Sequence, residues 1–114
     1  MSETLVRHIL ISPNEIRTDF DAKNLALEIK QKLTAGESFV DLARIHSDDP
    51  GSALAGGDLG WSEPNKFVPI FEQTMKAAAV GDVSEPFQSQ FGWHILEVMD
   101  LSLIHISEPT RPGH

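Results

Sequence analysis

The spacing of apolar and polar positions along the chain predicts a strand followed by a long helix. A short, mostly apolar run over Leu5–Ile11, interrupted only by Arg7 and His8, is bounded by turn residues and predicts a buried strand. The next stripe recurs at helical spacing: Ala22, Leu25, Ala26, Ile29 and Leu33. Thr18 and Asp21 form an imperfect capping box before this stripe, and Gly36 is a natural stop after it. We therefore expect a helix from just after Thr18 to just before Gly36.

Two shorter helices are expected further along. Ser38 caps the second helix, which fades near His46, while Pro69 suits the first turn of a third helix that Gly81 would end. Between these helices, Ser47–Gly60 is dense in Gly, Asp, Pro and Ser, a composition typical of turns and of close backbone approaches. Because apolar residues punctuate it, we expect this segment to be an ordered, functional loop.

The residue pattern in the last third of the domain predicts a β-hairpin. Val83–Ser89 is expected to form an edge strand interrupted by Pro86, and Trp93–Met99 forms the last strand after a turn at 90–92. On a period of two, one face of the last strand carries His94, Leu96 and Val98. The order strand, helix, helix, loop, helix, hairpin indicates an α+β fold with a mainly antiparallel sheet.

The end of the chain differs from everything before it. Residues 101–114 lack periodicity and include Pro109, Pro112 and Gly113, which oppose a core-forming element. The segment resembles translated vector or adaptor sequence more than a domain extension. We therefore place a single domain at residues 3–100 and treat 101–114 as a tail outside the fold.

Composition narrows the possible partners. The 114 residues suit one domain, and 40% hydrophobic with 23% charged residues is typical of a globular protein. A net charge of −8 argues against nucleic acid or an anionic membrane surface as a partner, because both need a basic protein surface. No apolar run approaches the ~20 residues of a membrane span, and we expect neither membrane insertion nor a secretion leader at Met1. The absence of cysteine excludes disulfides and thiol catalysis.

Two histidines inside apolar strands are the first candidates for chemistry. His8 and His94 could each be a core histidine satisfied by a hydroxyl or carbonyl group. Both belong to strands of one small sheet, however, so they could also be neighbours that form a functional pair. A zinc site that adds His46 to this pair is conceivable, but the spacing does not ask for one.

The other candidates have equally ordinary alternatives. Asp49 precedes Pro50-Gly51 and would suit a turn, in which its side chain bonds nearby backbone. Phe67, Phe71 and Met75 follow each other at intervals of four, which is the spacing of core packing on a helix. From the residues alone, the chain is a small acidic α+β domain with two embedded histidines and a Gly-rich loop.

Several segments, taken in order, resemble one known family. They are Arg7-His8-Ile9-Leu10, the 46–53 stretch HSDDPGSA, the 56–61 stretch GGDLGW, the 67–71 stretch FVPIF and the 91–96 stretch FGWHIL. In this order and spacing they are similar to the parvulin-type peptidyl-prolyl cis/trans isomerases, from about Glu3 to Asp100. The Asp-Pro-Gly-Ser-Ala stretch and Trp61 look most like the parvulin domains of SurA-type periplasmic chaperones.

The resemblance implies a fold and a set of site residues. The family fold is a four-stranded antiparallel sheet surrounded by about four helices, so Gly56–Trp61 would contain a strand. His8 and His94 would form the central histidine pair with Ser89 as a hydroxyl partner, and Asp49 would lie beside the substrate carbonyl. The expected proline pocket consists of Leu59, Phe67 and Phe71. A possible peptide groove beside it consists of Trp61, Met75 and Phe91.

The resemblance also implies an activity. We expect isomerisation of X-Pro bonds in unfolded or extended polypeptides, with no metal or cofactor because no bond is broken. Phospho-specific members carry a basic cluster between the first strand and helix, whereas Ser12–Asp19 offers only Arg17, which predicts phosphate independence. The expected setting is a periplasmic rather than a cytoplasmic chaperone for aromatic-rich outer-membrane proteins, and the isolated domain is expected to be a monomer. The alternative is a peptide-binding chaperone module with little or no isomerase activity.

Overall fold

The computed structural model describes residues 2–62 and 67–103 of the chain. Within these ranges the elements are β1 (Ser2–Ile11), α1 (Asp19–Thr34), α2 (Phe39–His46), a 3₁₀ turn (Ala53–Ala55), β2 (Asp58–Ser62), α3 (Pro69–Ala77), β3 (Phe87–Ser89) and β4 (Gly92–Leu103). The α+β class is therefore confirmed, with three α-helices and one 3₁₀ turn among the described residues. None of these helices is long and apolar enough to cross a membrane.

The four strands form one antiparallel sheet in the order β2-β1-β4-β3. The central ladder of β1 and β4 runs from the Ser2–Leu103 pair to the Ile11–Trp93 pair. His8 lies opposite Leu96 in this ladder, and His94 lies opposite Leu10. The two histidines are therefore diagonal neighbours on one face, close enough for their rings to meet.

The alternation of β1 divides the core between the two faces of the sheet. Ile9 and Ile11 pack with Ile95 against α1 and α2. Val6 packs on the opposite face with Leu96 and with the α3 residues Phe71 and Met75. Since side chains alternate along a strand, His8 lies on the α3 face. The functional candidates are thus placed between the sheet and α3.

The helix starts follow the sequence expectations. At α1 the hydroxyl of Thr18 accepts a hydrogen bond from the Asp21 backbone at 3.0 Å, and the Asp21 carboxylate accepts one from the Thr18 backbone at 3.2 Å. The capping box is complete although Asp replaces the usual Glu. At α2 the Ser38 hydroxyl accepts from the Asp41 backbone at 3.2 Å. These caps fix where both helices begin.

The segment 78–89 differs from the expected long helix and long strand. Helix α3 ends at Ala77, because Ala78 is extended and Gly81 donates its N–H to the Val98 carbonyl at 2.7 Å. Val83 makes an isolated bridge to Glu97, and only Phe87–Ser89 forms a strand. Pro86 lacks the N–H that a continuous ladder would require.

Two further expectations need correction. The loop predicted from residue composition over Ser47–Gly60 already contains the start of β2 at Asp58, so the strand implied by the resemblance is confirmed. The predicted end of the domain at Asp100 lies three residues before the end of β4, which continues to Leu103 and pairs with the first residues of β1. The rest of the predicted tail, 104–114, lies outside the described residues, and its origin stays a prediction.

Candidate active site

The histidine pair forms the base of a cleft between the sheet and α3. The cleft has a volume of about 360 Å³, within the range of small-ligand sites. Its lining residues are His8, Leu10, Asp49, Leu59, Phe67, Val68, Phe71, Phe91 and His94. The walls are therefore mostly apolar, and the polar groups are concentrated around the two histidines.

A chain of hydrogen bonds runs through the two imidazoles. Asp49 Oδ2 lies 2.7 Å from His8 Nε2, and His8 Nδ1 lies 3.3 Å from His94 Nδ1. His94 Nε2 lies 2.6 Å from the hydroxyl of Ser89. Ser52 also donates its hydroxyl to Asp49 Oδ2, at 2.8 Å. The expected grouping of His8, Asp49, His94 and Ser89 is thus present as one connected network.

The network assigns a proton to each ring when both imidazoles are neutral. A carboxylate only accepts, so His8 Nε2 carries a hydrogen and His8 Nδ1 is an acceptor. His94 Nδ1 then donates to His8, which leaves His94 Nε2 to accept from the Ser89 hydroxyl. The Ser89 oxygen in turn accepts the Phe91 backbone N–H at 3.1 Å. In this series of hydrogen bonds from Phe91 through Ser89, His94 and His8, every donor therefore points toward Asp49.

The titration of these groups follows from burial. Burial lowers the pKa of His94 to about 4, and the neighbouring His8 adds to this shift while Asp49 opposes it. Burial also lowers the pKa of His8, against the opposing effect of Asp49. For Asp49, burial alone would raise the pKa, but hydrogen bonds from His8 and Ser52 outweigh it and the net shift is downward. At neutral pH the site therefore contains two neutral imidazoles and one carboxylate.

Backbone contacts fix the segment that carries Asp49 against β1. The Leu10 backbone donates to the Ser47 hydroxyl at 3.1 Å, and the Asp48 backbone donates to the Leu10 carbonyl at 2.7 Å. The Asp48 carboxylate accepts from the Ser12 backbone at 2.8 Å. Residues 47–49 thus run beside the end of β1 and the residue that follows it, which brings Asp49 to His8.

Gly57 fixes the backbone of His8 from the other side. Its carbonyl accepts the His8 N–H at 2.9 Å, and its φ of +88° lies in the left-handed region. A Cβ atom at this position would lie 2.3 Å from the His8 carbonyl oxygen. Only glycine combines this conformation with this approach.

Aromatic rings form the wall of the cleft opposite the loop. Phe71 makes edge contacts with both His8 and His94, each with ring centroids 5.6 Å apart. Phe87 stacks on His94 at 5.2 Å, and Phe67 tilts against Phe71 at 4.5 Å. These rings cover one side of the histidine pair and exclude water from it, and this burial is the main cause of the low pKa of His94.

The sequence matches the family described as "Rotamase: PPIC-type PPIASE domain" over residues 8–100. The chain belongs to this family. It is accordingly a parvulin-type peptidyl-prolyl cis-trans isomerase domain, as the resemblance implied.

Two curated relatives of this PPIC-type domain are both named Chaperone SurA. The one from Methylococcus capsulatus is 51% identical over 100 residues, which cover 88% of this chain and 22% of the relative. The one from Pseudomonas aeruginosa is 47% identical over 109 residues, covering 96% of this chain and 26% of the relative. The chain therefore spans only about a quarter of the length of these relatives.

Solved structures show the same domain architecture. The peptidylprolyl isomerase PrsA from Bacillus anthracis superposes with a TM-score of 0.81 at 35% identity, covering 91% of this chain and 44% of that protein. The parvulin of Nitrosopumilus maritimus gives a TM-score of 0.73 at 36% identity, covering 88% of this chain and 98% of that protein. The PPIC-type fold thus occurs both inside longer proteins and as nearly an entire chain.

The three residues that were predicted to form a peptide groove have different environments in this PPIC-type domain. Phe91 lines the cleft and is 53% exposed. Trp61 is exposed on the edge strand β2 but is not among the described residues that line the cleft. Met75 is only 4% exposed and packs with Val6 and Val98, so its assignment to the groove is wrong and the core alternative applies.

Sequence reasoning missed two residues that line the cleft and one that fixes it. Leu10 lies two positions after His8 in β1, so strand periodicity places it on the same face. Val68 precedes Pro69 and lines the cleft from the start of α3. Ser52 binds Asp49, an interaction for which the sequence contained no pattern. In the part of the chain that the structure describes, no group of three or more His, Cys, Asp or Glu side chains could hold a metal.

Proposed function

We propose that this domain isomerises X-Pro bonds in unfolded or extended polypeptides without requiring phosphorylation of the residue before proline. The observation that carries the proposal is the apolar cleft with Asp49, His8 and His94 at its base. Leu59, Phe67 and Phe71 form its apolar walls and would receive the pyrrolidine ring. The size and chemistry of the cleft suit one proline side chain with adjoining backbone.

The reaction explains why such a site is sufficient. Rotation about the X-Pro bond has a barrier of ~18–20 kcal/mol because twisting removes amide resonance. No bond breaks, so catalysis requires only that the twisted amide be bound better than the planar one. The Asp49 carboxylate would repel a carbonyl oxygen that carries the negative charge of the planar resonance form. The histidines hold Asp49 and the cleft in place and need not transfer protons.

Phosphate independence is supported by the surroundings of Arg17. Its guanidinium donates to the Asp48 carboxylate at 2.7 Å and to the Ser12 carbonyl at 3.1 Å. The one basic residue of the Ser12–Asp19 loop is thus already paired with an acidic group. A phosphate on the residue before proline would meet this pair and the Asp49 carboxylate rather than a free cation.

The deciding experiment measures isomerisation of matched peptides. An unphosphorylated X-Pro peptide is assayed by protease-coupled kinetics and by NMR exchange spectroscopy, with a phosphoserine-Pro version beside it. The expected result is acceleration of the unphosphorylated peptide, unchanged by a chelator, with no gain from phosphate. Activity seen only with the phosphopeptide, or lost on chelation, would overturn the proposal.

A second candidate is a peptide-binding module with little or no turnover. The exposed Phe91 at the mouth of the cleft favours it, because a partly exposed aromatic group can contact apolar ligand side chains. Peptide binding with no rate enhancement in the same two assays would support this alternative.

The proposed context is a periplasmic folding chaperone whose clients are aromatic-rich outer-membrane proteins, with the isolated domain as a monomer. The relatives named Chaperone SurA support this context. Proline-containing peptides taken from outer-membrane β-strands should bind more tightly than peptides in which the aromatic residues are replaced by serine. Equal affinities for the two kinds of peptide would count against outer-membrane proteins as clients. The mass of the isolated domain by analytical ultracentrifugation tests the monomeric state, and the mass of a dimer would contradict it.

A further inference from the structure

Glu72 is a buried carboxylate that the proposed mechanism does not use. It lies in the first turn of α3 and is only 7% exposed. Charged side chains are seldom buried to this extent without bonded partners, because removing a charge from water is costly. Its Oε2 atom accepts the backbone N–H of Phe67 at 3.1 Å.

This hydrogen bond connects a side chain of α3 to the backbone of the segment that precedes the helix. Phe67 stands immediately before Val68, the N-cap residue, whose side chain is apolar. Backbone N–H groups at the start of a helix need acceptors from outside the helical pattern, and a carboxylate there also interacts favourably with the helix dipole. Glu72 therefore supplies the acceptor that orients the chain at the entrance to α3.

The orientation matters because Phe67 is a wall of the cleft. Phe71, which adjoins Glu72 in sequence, is 2% exposed and is held by its packing in the core with Val6 and Leu96. Phe67 is only half-buried, and its ring tilts against Phe71 at 4.5 Å. Phe67 is thus the less tightly packed of the two phenylalanine walls, and its backbone is the one that is hydrogen-bonded to Glu72.

We propose that Glu72 is a positioning residue for substrate binding, which sets the Phe67 wall of the proline pocket through this hydrogen bond. The inference rests on the proposed function, because it assumes that the cleft receives proline. An apolar wall contacts the pyrrolidine ring in both the planar and the twisted amide. Loss of the wall therefore raises KM and the peptide Kd while kcat changes little.

Three substitutions of Glu72 separate the hydrogen bond from the volume and the charge. Glu72→Gln keeps the shape and an acceptor oxygen. Glu72→Met keeps similar volume without that acceptor, and Glu72→Asp keeps the charge but withdraws it by one methylene. The neighbouring Gln73→Ala is the matched control, because Gln73 is an exposed residue of the same helix.

The measurements are the Kd of an unphosphorylated X-Pro peptide, KM and kcat by exchange spectroscopy, and the amide proton shift of Phe67. All are made well below the melting temperature of each variant. We expect E72M and E72D to weaken peptide binding about tenfold and to move the Phe67 amide upfield. E72Q should stay within about threefold of wild type, and Q73A should match wild type.

The outcomes distinguish this inference from the function on which it rests. If folded E72M or E72D binds the peptide like wild type, Glu72 does not position the pocket. Equal losses in E72Q and E72M would also overturn the inference, since the acceptor would then be irrelevant. If E72M does not fold, E72D decides by the same criteria. A wild-type protein that binds no peptide would count against the proposed function itself and would remove this role with it.

Discussion

The imidazole rings of His8 and His94 stack with centroids 5.4 Å apart and an angle of 21° between their planes. The antiparallel register of β1 and β4 is the cause, since it places the two residues diagonally across the central ladder. A stacked and buried pair of bases is costly to protonate, because a charge on either ring would be poorly hydrated. The arrangement thus favours two neutral rings with fixed tautomers.

The first prediction concerns those tautomers. In the folded protein at pH 7.5, His8 should carry its hydrogen on Nε2 and His94 on Nδ1, as the hydrogen bonds to Asp49 and Ser89 require. Long-range ¹H–¹⁵N spectra of the imidazoles report this directly. The same spectra of His46, which lies outside the network, provide the comparison. The opposite tautomers, or a charged ring at this pH, would contradict the assigned network.

The second prediction is that stability falls as the pH drops from about 6.5 to about 4. The pKa of His94 is lowered to about 4 in the folded state, so the unfolded chain binds the proton more readily. The contribution of His94 to the free energy of unfolding is therefore fully present above the unfolded pKa of 6.5, and it is lost progressively as the pH falls below that value. A shift of this size is equivalent to about 3 kcal/mol at most.

Urea unfolding between pH 4 and pH 8 measures this dependence. The downward shifts of His8 and His46 act in the same direction. His94→Gln should remove most of the slope, whereas His46→Gln, at a less buried position, should remove little. A His94→Gln variant with the wild-type slope would show that His94 does not control acid stability.

The third prediction separates the charge of Asp49 from its hydrogen bonds. Asp49→Asn keeps an oxygen that can accept from His8 and Ser52, but it removes the negative charge and the acceptor that Oδ1 offers to the Gly51 backbone N–H at 3.1 Å. It should leave folding and peptide affinity close to wild type while it slows isomerisation by about one order of magnitude. Asp49→Ala should be slower still and less stable, since His8 loses a buried partner at a cost of ~1–3 kcal/mol. Thermal melting, peptide Kd and isomerisation rate are measured together.

An Asp49→Asn variant that isomerises at the wild-type rate would refute the electrostatic role of the carboxylate. Ser52→Ala is a suitable control, because it removes one hydrogen bond to Asp49 and leaves the charge in place. It should slow the reaction less than Asp49→Asn does.

The fourth prediction contrasts the two phenylalanine walls. Phe71 lies in the core at 2% exposure, so Phe71→Ala should lower the free energy of unfolding by ~3–5 kcal/mol and weaken peptide binding as well. Phe67 is half-buried, so Phe67→Ala should weaken binding with a smaller loss of stability. Calorimetry and peptide titration test both. Normal peptide affinity in Phe67→Ala would show that this ring is not part of the binding site.

The fifth prediction concerns the end of the domain. Truncation after Leu103 should leave the melting temperature nearly unchanged, because Pro109, Pro112 and Gly113 disfavour a core-forming element beyond it. Truncation after Asp100 removes three ladder positions of β4 and should lower the melting temperature, by about 4 °C or more for each kcal/mol lost. A large drop in the longer variant would show that residues 104–114 stabilise the fold.

Local chemistry explains which parts of the fold were predictable. Thr18 and Asp21 encode the start of α1 within four residues, and the run over Leu5–Ile11 encodes β1 in the same local way. Strand β2 was harder to recognise, because glycines dominate its surroundings and only the family resemblance indicated a strand. The early end of α3 depends on the bond from Gly81 to Val98, which no local pattern reveals.

The site was predictable to the extent that it depends on the sheet. Two histidines in strands of one small sheet could be neighbours, and the family resemblance implied that they form a pair. In the structure His8 and His94 lie within hydrogen-bond distance of each other. The contact between Glu72 and Phe67 could not be predicted, because a glutamate in the first turn of a helix is ordinarily a solvated residue. Met75 was misassigned since helical spacing alone does not distinguish the wall of a cleft from the core beneath it.

The ladder that begins with the Ser2–Leu103 pair has a consequence for how this fold is connected to other sequence. The chain enters and leaves the sheet on neighbouring antiparallel strands, about 5 Å apart. Such a unit can be inserted into a surface loop of another protein at a single point, without separating the two sides of that loop. The fold is therefore suited to insertion as one unit between two segments of a longer chain.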